Sequence, residues 1–193
     1  MVWSTGRPLR FLFAWEWADG IMQNTADKNI EALLRPARLL IIDDEHYTRK
    51  VIRGLLMSIG IQRIFEASDG MAGVEAIKSI VPDIVLLDWE MPGFDGADVM
   101  RIVRSPDTFP CPDVPIIMLT GHAERSIVMD AIRLGVHEYL LKPVSSQALL
   151  ARILSIRAQP RPMVRRGLFY GPEPRKSFTY KPQFDPTHLA ATR

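Results

Sequence analysis

The stretch Leu39-Leu40-Ile41-Ile42-Asp43-Asp44-Glu45 runs from four apolar residues straight into three acids. An unbroken apolar run of this length reads as a strand buried on both faces, and such strands belong to parallel sheets covered by helices. Its ending is harder to explain. Neighbouring carboxylates repel by about 4 kcal/mol per pair at about 4 Å if the effective dielectric is about 20. Water or a cation has to compensate them.

Further along the chain the same pattern repeats. Apolar runs of strand length occur at Ile64 to Ala67, Ile84 to Leu87, Ile116 to Leu119 and Tyr139 to Leu141. Helical patterns follow at His46 to Ile59, Met71 to Ile80, Gly96 to Arg104, Glu124 to Leu134 and Ser146 to Ile156. Five βα units predict an α/β domain with a doubly wound five-stranded parallel sheet over residues 38–156. Right-handed crossovers put helices on both faces, and ligands then bind beyond the carboxyl ends of the strands.

Those ends carry unusual chemistry. Strand one ends in Asp43-Asp44, strand three in Asp88, strand four in Thr120 and strand five in Lys142-Pro143. In a parallel sheet they share one edge, so three carboxylates, a hydroxyl and an ammonium are expected to converge. Oxygen donors of this kind suit Mg²⁺, which takes few carboxylates and keeps its other positions for water and phosphate. Taken singly, each residue has an ordinary explanation. Asp43 or Asp44 can cap the helix near His46, Asp88 can serve a turn, Thr120-Gly121 can open a helix, Lys142 can be a solvated lysine and Tyr139 a half-buried aromatic.

Composition bounds the alternatives. The chain has 193 residues, 47% of them apolar, and a formal net charge of +2. The excess positive charge lies in the tail, where Arg161, Arg165, Arg166, Arg175, Lys176 and Lys181 face Glu173; the remainder is slightly acidic, which argues against a whole-domain nucleic-acid footprint. Cys111 is the single cysteine, so no intrachain disulfide or thiolate cluster forms, and a reducing, cytoplasmic setting is expected. The apolar run Phe11 to Trp17 is interrupted by Glu16 and is too short to span a bilayer, so no membrane association is expected.

Two flanks remain. Residues 1–37 hold three of the four tryptophans without a sustained period. Asn24 or Thr25 is a candidate cap for a short helix ended by Pro36, and Met22 is a candidate alternative start. Residues 157–193 are rich in proline and arginine and are expected to be disordered.

The motifs Ile41-Ile42-Asp43-Asp44-Glu45, Leu86-Leu87-Asp88-Trp89-Glu90-Met91-Pro92-Gly93, Met118-Leu119-Thr120-Gly121 and Tyr139-Leu140-Leu141-Lys142-Pro143-Val144 together resemble the receiver domains of two-component response regulators. The resemblance implies a flavodoxin-like fold with strand order 2-1-3-4-5, an order that the periodicity alone does not supply. It implies that a histidine kinase or histidine phosphotransfer protein donates a phosphoryl group to Asp88. Asp44 would ligate Mg²⁺ directly, Asp43 would help hold it through water, and Asp88 and the Glu90 backbone carbonyl would complete the protein ligands. Lys142 would neutralise a phosphoryl oxygen, and the peptide to Pro143 is usually cis in the family. Thr120 and Tyr139 take the switch positions. Glu90 and His122 occupy the variable positions that tune hydrolysis.

The resemblance further implies a protein target on the face of the fourth helix, fifth strand and fifth helix, with a phosphorylation-dependent dimer as one form of output. Residues 157–193 are too few and too proline-rich for a helix-turn-helix module, so the expectation is a stand-alone receiver acting by protein contact. A haloacid dehalogenase-type hydrolase would want an Asp-x-Asp pair where Asp88-Trp89-Glu90 stands, and a dinucleotide-binding domain would want glycines where strand one ends in acids. A pseudo-receiver adaptor that is never phosphorylated, and a DNA-associated regulator acting through the basic tail, are the remaining alternatives.

Overall fold

Strands β1 (Arg38–Ile42), β2 (Arg63–Ala67), β3 (Ile84–Asp88), β4 (Ile116–Thr120) and β5 (Glu138–Leu141) alternate with helices α1 (His46–Ser58), α2 (Gly70–Ile80), α3 (Gly96–Val103), α4 (Arg125–Arg133) and α5 (Ser146–Ala158). The structure is a computed structural model that describes residues 28–122 and 124–174. All five strands run parallel in the order β2-β1-β3-β4-β5, as the resemblance implied.

The continuous apolar strands are explained by two cores. Successive side chains of a strand point to opposite faces. Leu40, Ile42, Val85, Leu87, Ile116 and Met118 accordingly pack with Val74 and Ile77 of α2 and with Val99 and Met100 of α3. Leu39, Ile41, Ile84, Leu86, Ile117 and Leu119 face the other way, onto Ile52 and Leu56 of α1 and Leu149 and Ile153 of α5. Central strands β3 and β4 are buried along their full length, and edge strand β2 shows partial exposure.

Helix starts follow local capping chemistry. Asp69 accepts from the Ala72 N–H, Ser145 from the Ala148 N–H, and Asp95 and Asp98 form a reciprocal capping box ahead of α3. A further helical stretch over residues 28–34 sets Leu34 and Ala37 into the α1/α5 core, and Arg157 of α5 donates to the Leu33 carbonyl at 3.3 Å. The candidate caps Asn24 and Thr25 lie outside the described residues.

The tail departs from expectation. Where no regular element was anticipated, strands β6 (Met163–Arg166) and β7 (Phe169–Pro172) form an antiparallel hairpin. The prolines flank it: Pro160 and Pro162 precede β6, and Pro172 and Pro174 stand at the end of β7, where a missing N–H costs little. Its turn is Gly167-Leu168, with Gly167 at a φ of 62°. The part of the tail beyond residue 174 lies outside the described residues.

The hairpin docks at the pole where the strands begin. Arg165 makes a forked pair with Asp107 at 2.8 and 3.1 Å, and the Tyr170 hydroxyl donates to Asp113. Backbones meet closely at Gly135, whose φ is 87° and where a Cβ would lie 2.5 Å from the Tyr170 carbonyl oxygen. Beneath this contact the buried Arg104 donates to the carbonyls of Pro112, Gly135 and Val114, and its guanidinium lies 3.3 Å from His137 Nδ1. Arg161 donates to the His137 carbonyl and, with Arg152, flanks the buried Glu138 carboxylate.

Burial first, then the Arg104 and Arg161 charges, pull the His137 pKa from 6.5 down to about 3. The folded domain therefore refuses a proton that the unfolded chain accepts, so this group's contribution is complete above pH 6.5 and falls away as pH drops toward 3. Between pH 7 and pH 5 the expected loss is roughly 1–2 kcal/mol. Urea unfolding at several pH values checks it: His137→Gln should flatten the decline relative to wild type.

Candidate functional site

The parallel register delivers Asp43, Asp88, Thr120 and Lys142 to one edge. Ladder bonds run on past the strands, from Asp43 N–H to the Ala67 carbonyl, from Trp89 N–H to Leu119 and from Lys142 N–H to Thr120, so each loop leaves the sheet at a fixed height. The acids therefore sit on the rigid end of a buried sheet.

Carboxylate oxygens of Asp43, Asp44 and Asp88 all lie within 4.8 Å of one another. Asp43 is 0% exposed and Asp88 5%, whereas Asp44 faces solvent. Lys142 Nζ bridges the two buried acids, 3.0 Å from Asp43 and 2.9 Å from Asp88. The remaining oxygens are partly satisfied by backbone: Asp43 accepts from the Glu45 N–H at 2.9 Å and Asp88 from the Glu90 N–H at 3.4 Å.

Burial raises the pKa of Asp88; Lys142 pulls it back without cancelling, and the Asp43 charge adds to the rise. Burial would lower that of Lys142, yet its bonds to Asp88 and Asp43 prevail and hold it protonated. One ammonium among three carboxylates leaves the site short of positive charge. The donors are all oxygen, and their spread is close to the about 4.2 Å that separates opposite ligands of a Mg²⁺ ion with bonds of about 2.1 Å. The residues thus fit a small hard divalent cation.

Thr120 is fully buried at the end of β4, and its hydroxyl accepts from the His122 N–H at 3.0 Å, bonding within its own loop. Tyr139 sits half-buried on β5 opposite Met118, against the core that includes Ile127 and Ala131 of α4, and is separate from the acids. The Lys142–Pro143 peptide is cis. Glu90 and His122, read separately in the sequence, pair directly: His122 Nε2 lies 3.2 Å from Glu90 Oε1, with both side chains about half exposed at the rim.

Sequence reasoning missed Arg49. From the first turn of α1 its guanidinium donates to the Asp43 and Asp44 carbonyls at 2.7 and 3.2 Å, tying down the acidic loop from behind, and it also reaches Glu66. Bonds to Arg53 and Arg49 hold the Glu66 carboxyl below its usual range. Only the one-turn spacing from Glu45 to Arg49 hinted at this, and that spacing is common on exposed helices.

The family model of the response regulator receiver domain matches residues 39–154. The chemotaxis protein CheY of Pseudomonas aeruginosa is 34% identical over 119 residues, spanning 62% of this chain and 94% of that protein. CheY of Bacillus subtilis is 32% identical over 116 residues, 60% of this chain and 93% of its own. Among solved structures, the signal receiver domain of NarL from Mycobacterium tuberculosis superposes with a TM-score of 0.57 at 33% identity, covering 65% of this chain and 98% of that one.

The charge balance of the site gives a stability expectation. Lys142→Met strips the cation from two buried acids, which should cost about 1–3 kcal/mol, less than for a fully buried pair because Lys142 retains some exposure. Saturating Mg²⁺ should recover part of that difference, since a bound ion stabilises the folded state by mass action. Urea unfolding of both proteins with and without Mg²⁺ measures it.

Proposed function

The chain belongs to the response regulator receiver domain family, and on that premise we propose that it takes a phosphoryl group on Asp88 from a phosphohistidine of a kinase or phosphotransfer protein and signals by protein contact. The observation that carries this reading is the convergence of Asp43, Asp44, Asp88 and Lys142 at one sheet edge, with the two buried acids bonded to the same ammonium. In the step itself a carboxylate oxygen of Asp88 bonds to phosphorus as the phosphorus–nitrogen bond of the donor breaks. The histidine nitrogen keeps the bonding pair, and Asp88 becomes an acyl phosphate.

The protein's part is placement and charge. The Glu90 N–H and the Lys142 ammonium hold Asp88 in one orientation, which removes orientational cost at the moment of attack. Lys142 then neutralises a phosphoryl oxygen, acting as a compact point charge. Asp43, Asp44, Asp88 and the Glu90 carbonyl would hold Mg²⁺, which when bound would supply the further positive charge that a transferring phosphoryl group demands.

Thr120 and Tyr139 carry the state of the site outward. A phosphoryl group competes for the Thr120 hydroxyl, which now serves its own loop, and Tyr139 fills the space behind it. The affected surface is α4, β5 and α5, where Met129, Ile132 and Leu141 are exposed. A target that prefers this altered surface shifts the equilibrium by its differential affinity, either as a separate protein or as a second copy. Among the described residues no helix is long and apolar enough to cross a membrane.

Incubation with acetyl phosphate and Mg²⁺, followed by intact mass, tests the chemistry. Wild type should gain one phosphoryl group and Asp88→Asn none; a wild type that gains nothing would instead support an unphosphorylated adaptor. The Glu90–His122 pair stands at the rim beside Asp88, where a neutral imidazole or carboxylate can orient an attacking water. Glu90→Ala/His122→Ala should therefore slow phosphoryl loss several-fold with Mg²⁺ kept saturating and the donor removed.

A further inference from the structure

Opposite poles of the domain carry surfaces that match each other. At the pole where the strands begin, the hairpin turn leaves Leu168 at 107% relative exposure. A two-residue turn of this kind wants its glycine at the first central position, and Gly167 supplies it; the second position accepts polar residues freely. A leucine standing wholly in water therefore contributes nothing to this fold. Arg165 is engaged by Asp107, but the neighbouring Arg166 is exposed and without a partner among the described residues. The tip is an apolar knob with an unengaged cation at its side.

At the other pole a shallow groove opens between the loops that follow β3 and β4. Trp89, Met91 and Ile127 give it an apolar floor, and Glu90, Asp95 and Glu124 give it acidic edges. Asp95 is occupied in capping α3, and Glu90 is paired with His122. Glu124 is exposed at the start of α4 and makes no side-chain capping bond.

We propose that the hairpin tip of one copy seats in this groove on a second copy, with Leu168 on the Trp89, Met91 and Ile127 floor and Arg166 against Glu124. Asp107, Asp113 and Gly135 pin the hairpin at the far pole, a full length of β4 away from the groove, so the knob does not serve its own domain. Apolar and charge complementarity together single out another copy as the occupant. The contact joins two different surfaces, so it is heterologous: every assembly keeps one knob and one groove free at its two ends, and association extends head to tail. A hairpin tip covers far less than the roughly 1,200 Å² of a stable interface, so the assembly is weak and concentration-dependent.

Sedimentation velocity on the full chain, from micromolar to near-millimolar concentration at low salt, tests this. The weight-average sedimentation coefficient should climb past that of a dimer and fall as salt is added. Leu168→Asp and Glu124→Lys should each hold the chain monomeric. Mixed in equal amounts they should associate and stop at two copies, because each supplies the surface the other lacks. Leu168→Ser repeats the test with a residue that the turn accepts if a thermal melt shows that the aspartate disturbs the hairpin. Wild type that stays monomeric throughout, wild type that stops at a dimer, or a mixture of the two variants that stays monomeric would each overturn the proposal.

Discussion

Asp43 and Asp88 lie almost without solvent, bonded to the one ammonium of Lys142, and the rest of the domain is arranged to make that placement tolerable. An unpaired charge at such depth would neutralise by shifting its pKa; a paired one persists only where the geometry is held. Strands β1, β3 and β5 hold it, because each hands its residue over at the end of a hydrogen-bonded ladder that is closed on both faces by apolar side chains. Arg49 adds a clamp on the carbonyls of the acidic loop, so the Asp43 carboxylate stays buried against Lys142 while the loop's backbone is tied to α1. Even so, the site remains electrostatically unfinished, which is the property a cation and a phosphoryl group can use.

The opposite pole solves a different problem. Arg104 and His137 bring polar groups under the beginning of β4 and β5, and they are satisfied by carbonyls and by each other. The hairpin closes over them, and Gly135 meets the Tyr170–Gly171 backbone so closely that a side chain would intrude. Arg161 and Glu138 link this closure to the first residue of β5, immediately before Tyr139. The tail is therefore part of how β5 is seated, and at the same time it presents its turn to solvent.

The candidate site and the hairpin separate along the same axis. The acids and Lys142 gather at the carboxyl ends of the strands, where open parallel sheets generally place their ligand sites. The matched length of the chemotaxis relatives covers little more than that unit, and the hairpin at residues 163–172 lies beyond the matched region that ends at residue 154. Among the described residues outside that region, the hairpin occupies the far pole, and the helical stretch at residues 28–34 packs beside α1 and α5.

Residues 39–42, 84–87 and 116–119 announced buried parallel strands through unbroken apolar runs, and the acids, threonine and lysine that follow those runs or β5 were legible as a site because strand ends of a parallel sheet share an edge. Those features are local in sequence, and periodicity encodes them. What only the tertiary structure decided is which side chains meet. Lys142 bonds to Asp43 across 99 residues, Glu90 pairs with His122 at the rim, and Arg49 turns back on the acidic loop. The hairpin was hidden for a related reason: a high proline content reads as disorder, while Gly167 at the turn and prolines kept to the hairpin's open end permit order once Gly135, Asp107 and Asp113 offer a surface to dock on. Composition counts residue types, whereas pairing depends on distances that exist only after the sheet has closed.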